Sequence, residues 1–102
     1  MKAPVRNAFD TREIARFRAA NKYVVFLDRK REYLLDESID SLEARLGEWG
    51  FVRVHRSELV NTRFVAALHV EGRSATLELS TSERVVVSRR RLAALRAILG
   101  ND

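Results

Sequence analysis

The 102-residue sequence predicts a mainly β, antiparallel fold with two helices. Short runs rich in β-branched and aromatic residues recur along it, as in Tyr23-Val24-Val25-Phe26-Leu27, Phe51-Val52-Arg53-Val54 and Val85-Val86-Val87. Most links between these runs are too short for the crossover that parallel pairing needs. Apolar residues at helical spacing mark two segments, Ile39/Leu42/Leu46/Trp49 and Leu92/Leu95/Ile98/Leu99.

Each element follows in chain order. Residues 1–12 are polar, carry the only proline and read as a tail, which leaves a single domain over 13–102. Ile14 to Arg18 is a candidate strand, and Ala19-Ala20-Asn21-Lys22 a break. Tyr23–Leu27 and Glu32–Leu35 form a hairpin around the charged turn Asp28-Arg29-Lys30-Arg31. A helix at about 39–49 has Ser38 placed to cap its start, Asp40 and Glu43 near its positive end, and Gly50 as a stop. Phe51–Val54 is a strand. His55 to Asn61 has no clear period and reads as a loop with one helical turn capped by Ser57. Ala66, Leu68 and Val70 then alternate with Ala67, His69 and Glu71; Gly72 turns the chain; Ala75, Leu77 and Leu79 alternate with Thr76, Glu78 and Ser80. Thr81-Ser82-Glu83 turns it again before the last strand, and a C-terminal helix at about 89–99 closes the chain at Gly100. The expected total is six or seven strands.

Composition narrows the function classes. Hydrophobic residues make up 46% and charged residues 32%, which describes a globular rather than a disordered chain. Cysteine is absent, so disulfides and thiolate metal sites are excluded. No apolar run approaches the roughly 20 residues of a membrane span, and the first residues lack the apolar stretch of a signal peptide. A cytoplasmic protein with no membrane partner is expected. Catalysis is not: the two histidines, His55 and His69, fall on different elements without an evident carboxylate partner, and the four glycines do not cluster into a phosphate loop. Asp28, Asp36 and Glu37 flank turns and a helix start. No enzyme, metal or cofactor site is predicted.

The net charge of +5 and pI of about 10.4 suit a polyanion partner. From Phe51 onward nine arginines, and no lysine, face five acids. Arginine forks match phosphates and guanine edges, although a codon bias towards arginine accounts for the ratio equally well. In Ser88-Arg89-Arg90-Arg91 three cations stand where a strand gives way to a helix. There they oppose the helix dipole at a cost of about 0.3–1 kcal/mol each, while N–H groups and guanidinium forks converge as in an anion site. Ser88 is the expected cap. A second cluster, Arg53, His55, Arg56 and Ser57 followed by Asn61 and Arg63, offers ring nitrogens, a fork, a hydroxyl and an amide, the groups that read base edges and phosphates. Asn61 could as well be a turn residue. Asn21-Lys22-Tyr23 is a third, weaker candidate.

The stretch Phe51-Val52-Arg53-Val54-His55-Arg56-Ser57-Glu58-Leu59-Val60-Asn61 resembles the core signature of LytTR domains, and Val86-Val87-Ser88-Arg89-Arg90 resembles that family's second signature. The likeness covers about residues 13–99. It implies small antiparallel sheets in an elongated arrangement. It also implies duplex DNA binding through loops in successive major grooves, in bacterial transcription regulation. By the same resemblance His55, Arg56 and Arg90 contact bases. Asn21, Lys22, Tyr23, Arg89 and Arg91 contact phosphate or flank the readers by that resemblance, and the chemistry of the two clusters adds Arg53, Ser57, Asn61, Arg63 and Ser88 to the same set. The implied partners are double-stranded DNA carrying direct repeats, a second copy on DNA, and a regulatory protein. Three departures stand out: Arg18 replaces a usual acid, the first family strand is short or missing near Val5–Thr11, and these 102 residues contain no receiver domain. An RNA-binding module and a protein-interaction module using an open sheet edge remain as alternatives. The first is disfavoured because the aromatics do not form a stacking platform.

Overall fold

The structure, a computed structural model, describes residues 10–100. It contains eight strands: β1 Arg16–Ala20, β2 Tyr23–Asp28, β3 Arg31–Leu35, β4 Phe51–His55, β5 Glu58–Asn61, β6 Val65–Glu71, β7 Ser74–Leu79 and β8 Arg84–Val86. Two helices accompany them, α1 Ile39–Leu46 and α2 Arg89–Ile98. All pairings are antiparallel and make two sheets, a five-stranded one in the order β3-β2-β1-β5-β4 and a three-stranded one in the order β6-β7-β8. The molecule is elongated, 41 × 23 × 23 Å.

Two cores explain the layering. Ile39, Leu42 and Leu46 of α1 bury against Phe17, Val24, Phe26, Leu35, Phe51 and Leu59 on one face of the larger sheet. There Phe17 sits 5.2 Å and 5.5 Å, centroid to centroid, from Phe26 and Phe51. Val54 and Val60, on the other face, pack on Ala75, Leu77, Leu79, Val85, Val87 and Leu95, so β4 and β5 are covered on both sides. An ion-pair seam joins the sheets. The Arg16 guanidinium on β1 lies 2.6 Å from Glu58 of β5 and 3.1 Å from Glu83 in the turn before β8. Burial works against its charge, but the two carboxylates hold its pKa above the ordinary arginine value.

Ser38 caps α1 as expected, its hydroxyl accepting from the Ser41 N–H at 3.0 Å. Several boundaries differ. β1 runs on to Ala20, through the expected break, and turns only at Asn21, whose φ of +56° suits asparagine. The regular part of α1 ends at Leu46; the chain tightens into a 3-10 turn, Gly47–Trp49, before the left-handed Gly50. That tightening swings Trp49, expected on the apolar face, into solvent at 58% exposure. Ile98 is likewise exposed, and Leu92, Leu95 and Leu99 carry the contact of α2 with the core. The segment after His55 is no helical turn: Glu58–Asn61 is a strand, buried along its whole length, and the 3-10 turn comes after it, at Thr62–Phe64. Residues 10–12 are not a tail, since Asp10 caps a 3-10 turn, Thr11–Glu13. The rest of the expected lead-in, and the weak first strand near Val5–Thr11 up to Phe9, lie outside the described residues.

Candidate nucleic-acid interface

Sheet register decides which loops meet. β5 runs antiparallel to β1 with Arg18 opposite Glu58, and the Ala19 N–H donates to the Ser57 carbonyl at 2.9 Å. The β1–β2 turn at Asn21-Lys22 and the β4–β5 turn at Arg56-Ser57 therefore open at the same end of the large sheet. In the order β2-β1-β5-β4 they stand two strand spacings apart, about 10 Å. The Ser88 N–H donates to the Val54 carbonyl at 2.8 Å, which sets the start of α2 beside the end of β4. Asn21–Tyr23, His55–Ser57 and Ser88–Arg91 thus line one edge.

The middle segment is tightly built. A register shift between Arg53 and His55 bulges β4 and re-aims its last residue. His55 Nδ1 lies 3.2 Å from the Ser57 N–H and 3.0 Å from its hydroxyl. A ring nitrogen that accepts from a backbone N–H carries no proton, so the neutral imidazole holds its proton on Nε2, which is left as the donor. Ser57, expected to flank DNA, has its hydroxyl committed to this ring.

Arg53 is a second residue whose contacts lie within the protein. Its side chain is buried rather than facing phosphate, the residue being 9% exposed. Nη1 binds Asp40 at 2.8 Å and Glu43 at 2.7 Å, Nε donates to the His55 carbonyl at 2.9 Å, and Nη2 donates to the Arg56 carbonyl. Those bonds leave no fork for DNA. They brace the turn from below, through α1. Asn61, 3% exposed, is a third: its amide N–H groups reach the carbonyls of Ile14 (3.0 Å) and Arg12 (3.4 Å), and its oxygen caps the Thr62–Phe64 turn through the Arg63 N–H at 3.1 Å. It sits at the far end of β5 from His55. Arg63 is at that far end too, donating to the Arg12 carbonyl at 3.2 Å. It helps to line an open cleft of about 420 Å³ with Arg12, Glu48, Trp49, Asn61 and Thr62.

What remains at the edge is a set of free cations. Lys22, Arg56, Arg89 and Arg90 are exposed, and among the described residues no side-chain ion pair or hydrogen bond engages them. Arg91 is half-buried and weakly paired, with Nη1 4.0 Å from Glu43. Tyr23 is half-buried. Ser88 occupies the N-cap position of α2, yet its hydroxyl makes no cap bond and is buried without a partner; only its carbonyl engages the helix, through the Arg91 N–H at 3.0 Å. Sequence reasoning missed the acids beneath this edge. Asp40 and Glu43 fall three apart on α1, hence on one face, but nothing in their spacing says that Arg53 joins them.

Away from the edge, His69 does have a carboxylate partner. Its Nε2 is 2.9 Å from Glu78 on the paired strand, and that bond holds the Glu78 carboxyl below its ordinary pKa. Among the described residues no helix is long and apolar enough to cross a membrane.

The family profile of the LytTr DNA-binding domain matches residues 7–100. The chain is 34% identical over 93 residues to the heme-containing CO-sensing transcriptional regulator RcoM 1 of Paraburkholderia xenovorans (strain LB400), and 33% identical to RcoM 2 of the same organism. Each alignment covers 89% of this chain but 35% of the relative, so the chain spans about a third of their length. Among solved structures it is similar to a LytTr DNA-binding domain of a methyl-accepting/DNA response regulator from Bacillus cereus. The TM-score is 0.78 and the identity 25%, over 86% of this chain and 82% of that one.

Proposed function

Because the chain belongs to the LytTR family of DNA-binding domains, we propose that it reads specific duplex sequence with the three segments of its contact edge, as the DNA-binding part of a bacterial transcription regulator. The observation that carries this reading is the gathering of four exposed cations, Lys22, Arg56, Arg89 and Arg90, on one edge, none of them engaged by a side-chain ion pair or hydrogen bond among the described residues. His55 offers an Nε2–H, and Arg56 a fork at the apex of a braced turn. Together they suit acceptors on purine edges in a major groove about 12 Å wide. Arg90 reads the neighbouring groove, and Arg89, Arg91 and Lys22 hold phosphates. Arg53 and Ser57 act from within, shaping the turn, and Asn61 ties down the far end of the sheet, none of them touching DNA. Direct repeats, a second copy on DNA and a regulatory partner that supplies the signal complete the reading.

Selection from a random duplex pool by the purified chain tests it. Enrichment of one motif is expected, with affinity falling as salt rises. About three phosphate contacts give a log–log slope of roughly −3. Single-stranded RNA that competes as well as the selected duplex would refute the DNA reading in favour of an RNA-binding one. Absence of any nucleic-acid binding would favour the protein-interaction module.

A further inference from the structure

We infer that Glu43 is a positioning residue for sequence selectivity, one carboxylate that sets the spacing between the two base-reading segments. This rests on the contact-edge reading above. One oxygen of Glu43 lies 2.7 Å from Arg53 Nη1, and the same guanidinium grips the His55 and Arg56 carbonyls. The other oxygen lies 4.0 Å from Arg91 Nη1, at the first turn of α2. Among the described residues the two segments are otherwise joined by the backbone bond from Ser88 to Val54 and by the apolar packing of Val54 with Val87 and Leu95, neither of which fixes the polar side chains at the edge. Asp40, the other acid on Arg53, is far more exposed, 83% against 41% for Glu43, and reaches Arg53 alone.

A carboxylate beside a row of arginines is unfavourable for binding a polyanion as such, because it repels phosphate and occupies Arg91. Its presence makes sense as a device that trades general affinity for correct spacing. By drawing Arg91 back towards α1, it keeps that cation from seizing whichever phosphate is nearest. Through Arg53 it holds the His55–Ser57 turn at a fixed height above the helix.

A merely structural role and a selectivity role differ in what happens on random DNA. The test measures binding of Glu43→Gln and Glu43→Asp to the duplex selected by the wild-type chain and to a random duplex, over a salt series, beside thermal unfolding. Glu37→Gln serves as the control, since it removes an α1-side charge whose partners are Arg45 and Ser41. The expected result for Glu43→Gln is a drop of about tenfold in the ratio of specific to random affinity. Random-duplex binding should be unchanged or tighter as Arg91 is freed from its acid, with the salt slope on the selected duplex unchanged, because Arg91 already counts among its phosphate contacts. Glu43→Asp should restore part of the ratio, and Glu37→Gln should keep all of it. If Glu43→Gln weakens both duplexes equally, or leaves the ratio unchanged, the inference is overturned while the DNA reading stands. If the wild-type chain selects no duplex, the DNA reading falls and this inference with it.

Discussion

The two basic segments of the contact edge are built in opposite ways. His55-Arg56-Ser57 is braced along its backbone and at one ring nitrogen: the imidazole Nδ1 by Ser57, two carbonyls by Arg53, the Ser57 carbonyl by Ala19. Ser88–Arg91 is held from behind by the apolar packing of Val87, Leu92 and Leu95 and by one backbone bond to Val54, while its polar side chains are little engaged: a serine hydroxyl that caps nothing and three arginines of which, among the described residues, only one has even a distant partner. A braced turn loses little freedom on binding and presents few groups in fixed places. A helix start with little-engaged side chains presents more charge and must order more of it. On the proposed reading, the first segment serves geometry-dependent recognition and the second chiefly charge, with Arg90 the base reader of the second.

The largest effect should come from removing the brace. Arg53→Ala strands two carbonyls and opens the space beneath the turn, at an expected cost of about 2–3 kcal/mol in urea unfolding. Arg53→Lys keeps the charge but not the planar fork. It should fold and bind random duplex normally while losing preference for the selected site. Equal loss on both duplexes would erase the contrast between the segments.

Next comes the pair Arg90→Ala and Arg91→Ala. The first should cost about 1–3 kcal/mol on the selected duplex and relax preference at one base position. Arg91→Ala should weaken all sequences alike, by less, measured as affinities on selected and scrambled duplexes. Matching losses in the two variants would mean that α2 contributes charge alone.

The smallest effect separates the two helix starts. Ser38→Ala removes a working cap and should cost about 1 kcal/mol. Ser88→Ala removes a buried hydroxyl without a partner and should be neutral or slightly stabilising. A Ser88→Ala cost as large as that of Ser38→Ala would show that the hydroxyl does cap α2.

The same contrast marks what could be read in the sequence. Elements with one buried face were legible because period and burial coincide, as in α1 to Leu46 and in β7 with Ala75, Leu77 and Leu79 inward, while the β2–β3 hairpin was legible from its β-branched and aromatic composition. β5 was not. All four of its residues are buried, between two cores, and its polar members Glu58 and Asn61 are satisfied by partners more than forty residues earlier, Arg16 and Ile14. Such a strand has no alternation to find. Trp49 was misplaced because periodicity carries no notice that a helix tightens at Gly47. At the site, the free cations were legible as cations, since exposure is the default for arginine. The buried Arg53 was legible only as part of a signature. Its role depends on two acids brought under it by the fold, and local sequence does not encode that meeting.

The pairing of Arg18 with Glu58 bears on when the contact edge comes into being. A chain synthesised only as far as Leu46 can make the first hairpins and α1, yet it holds one of the three reading segments. The edge exists only after β5 has closed the long loop back to β1, and closing such loops is the slow, late kind of step in folding. Recognition is therefore a property of the finished sheet and of no fragment. Loosening the β1–β5 seam would silence reading while much local structure persisted, which links DNA recognition to the folding cooperativity of the whole domain.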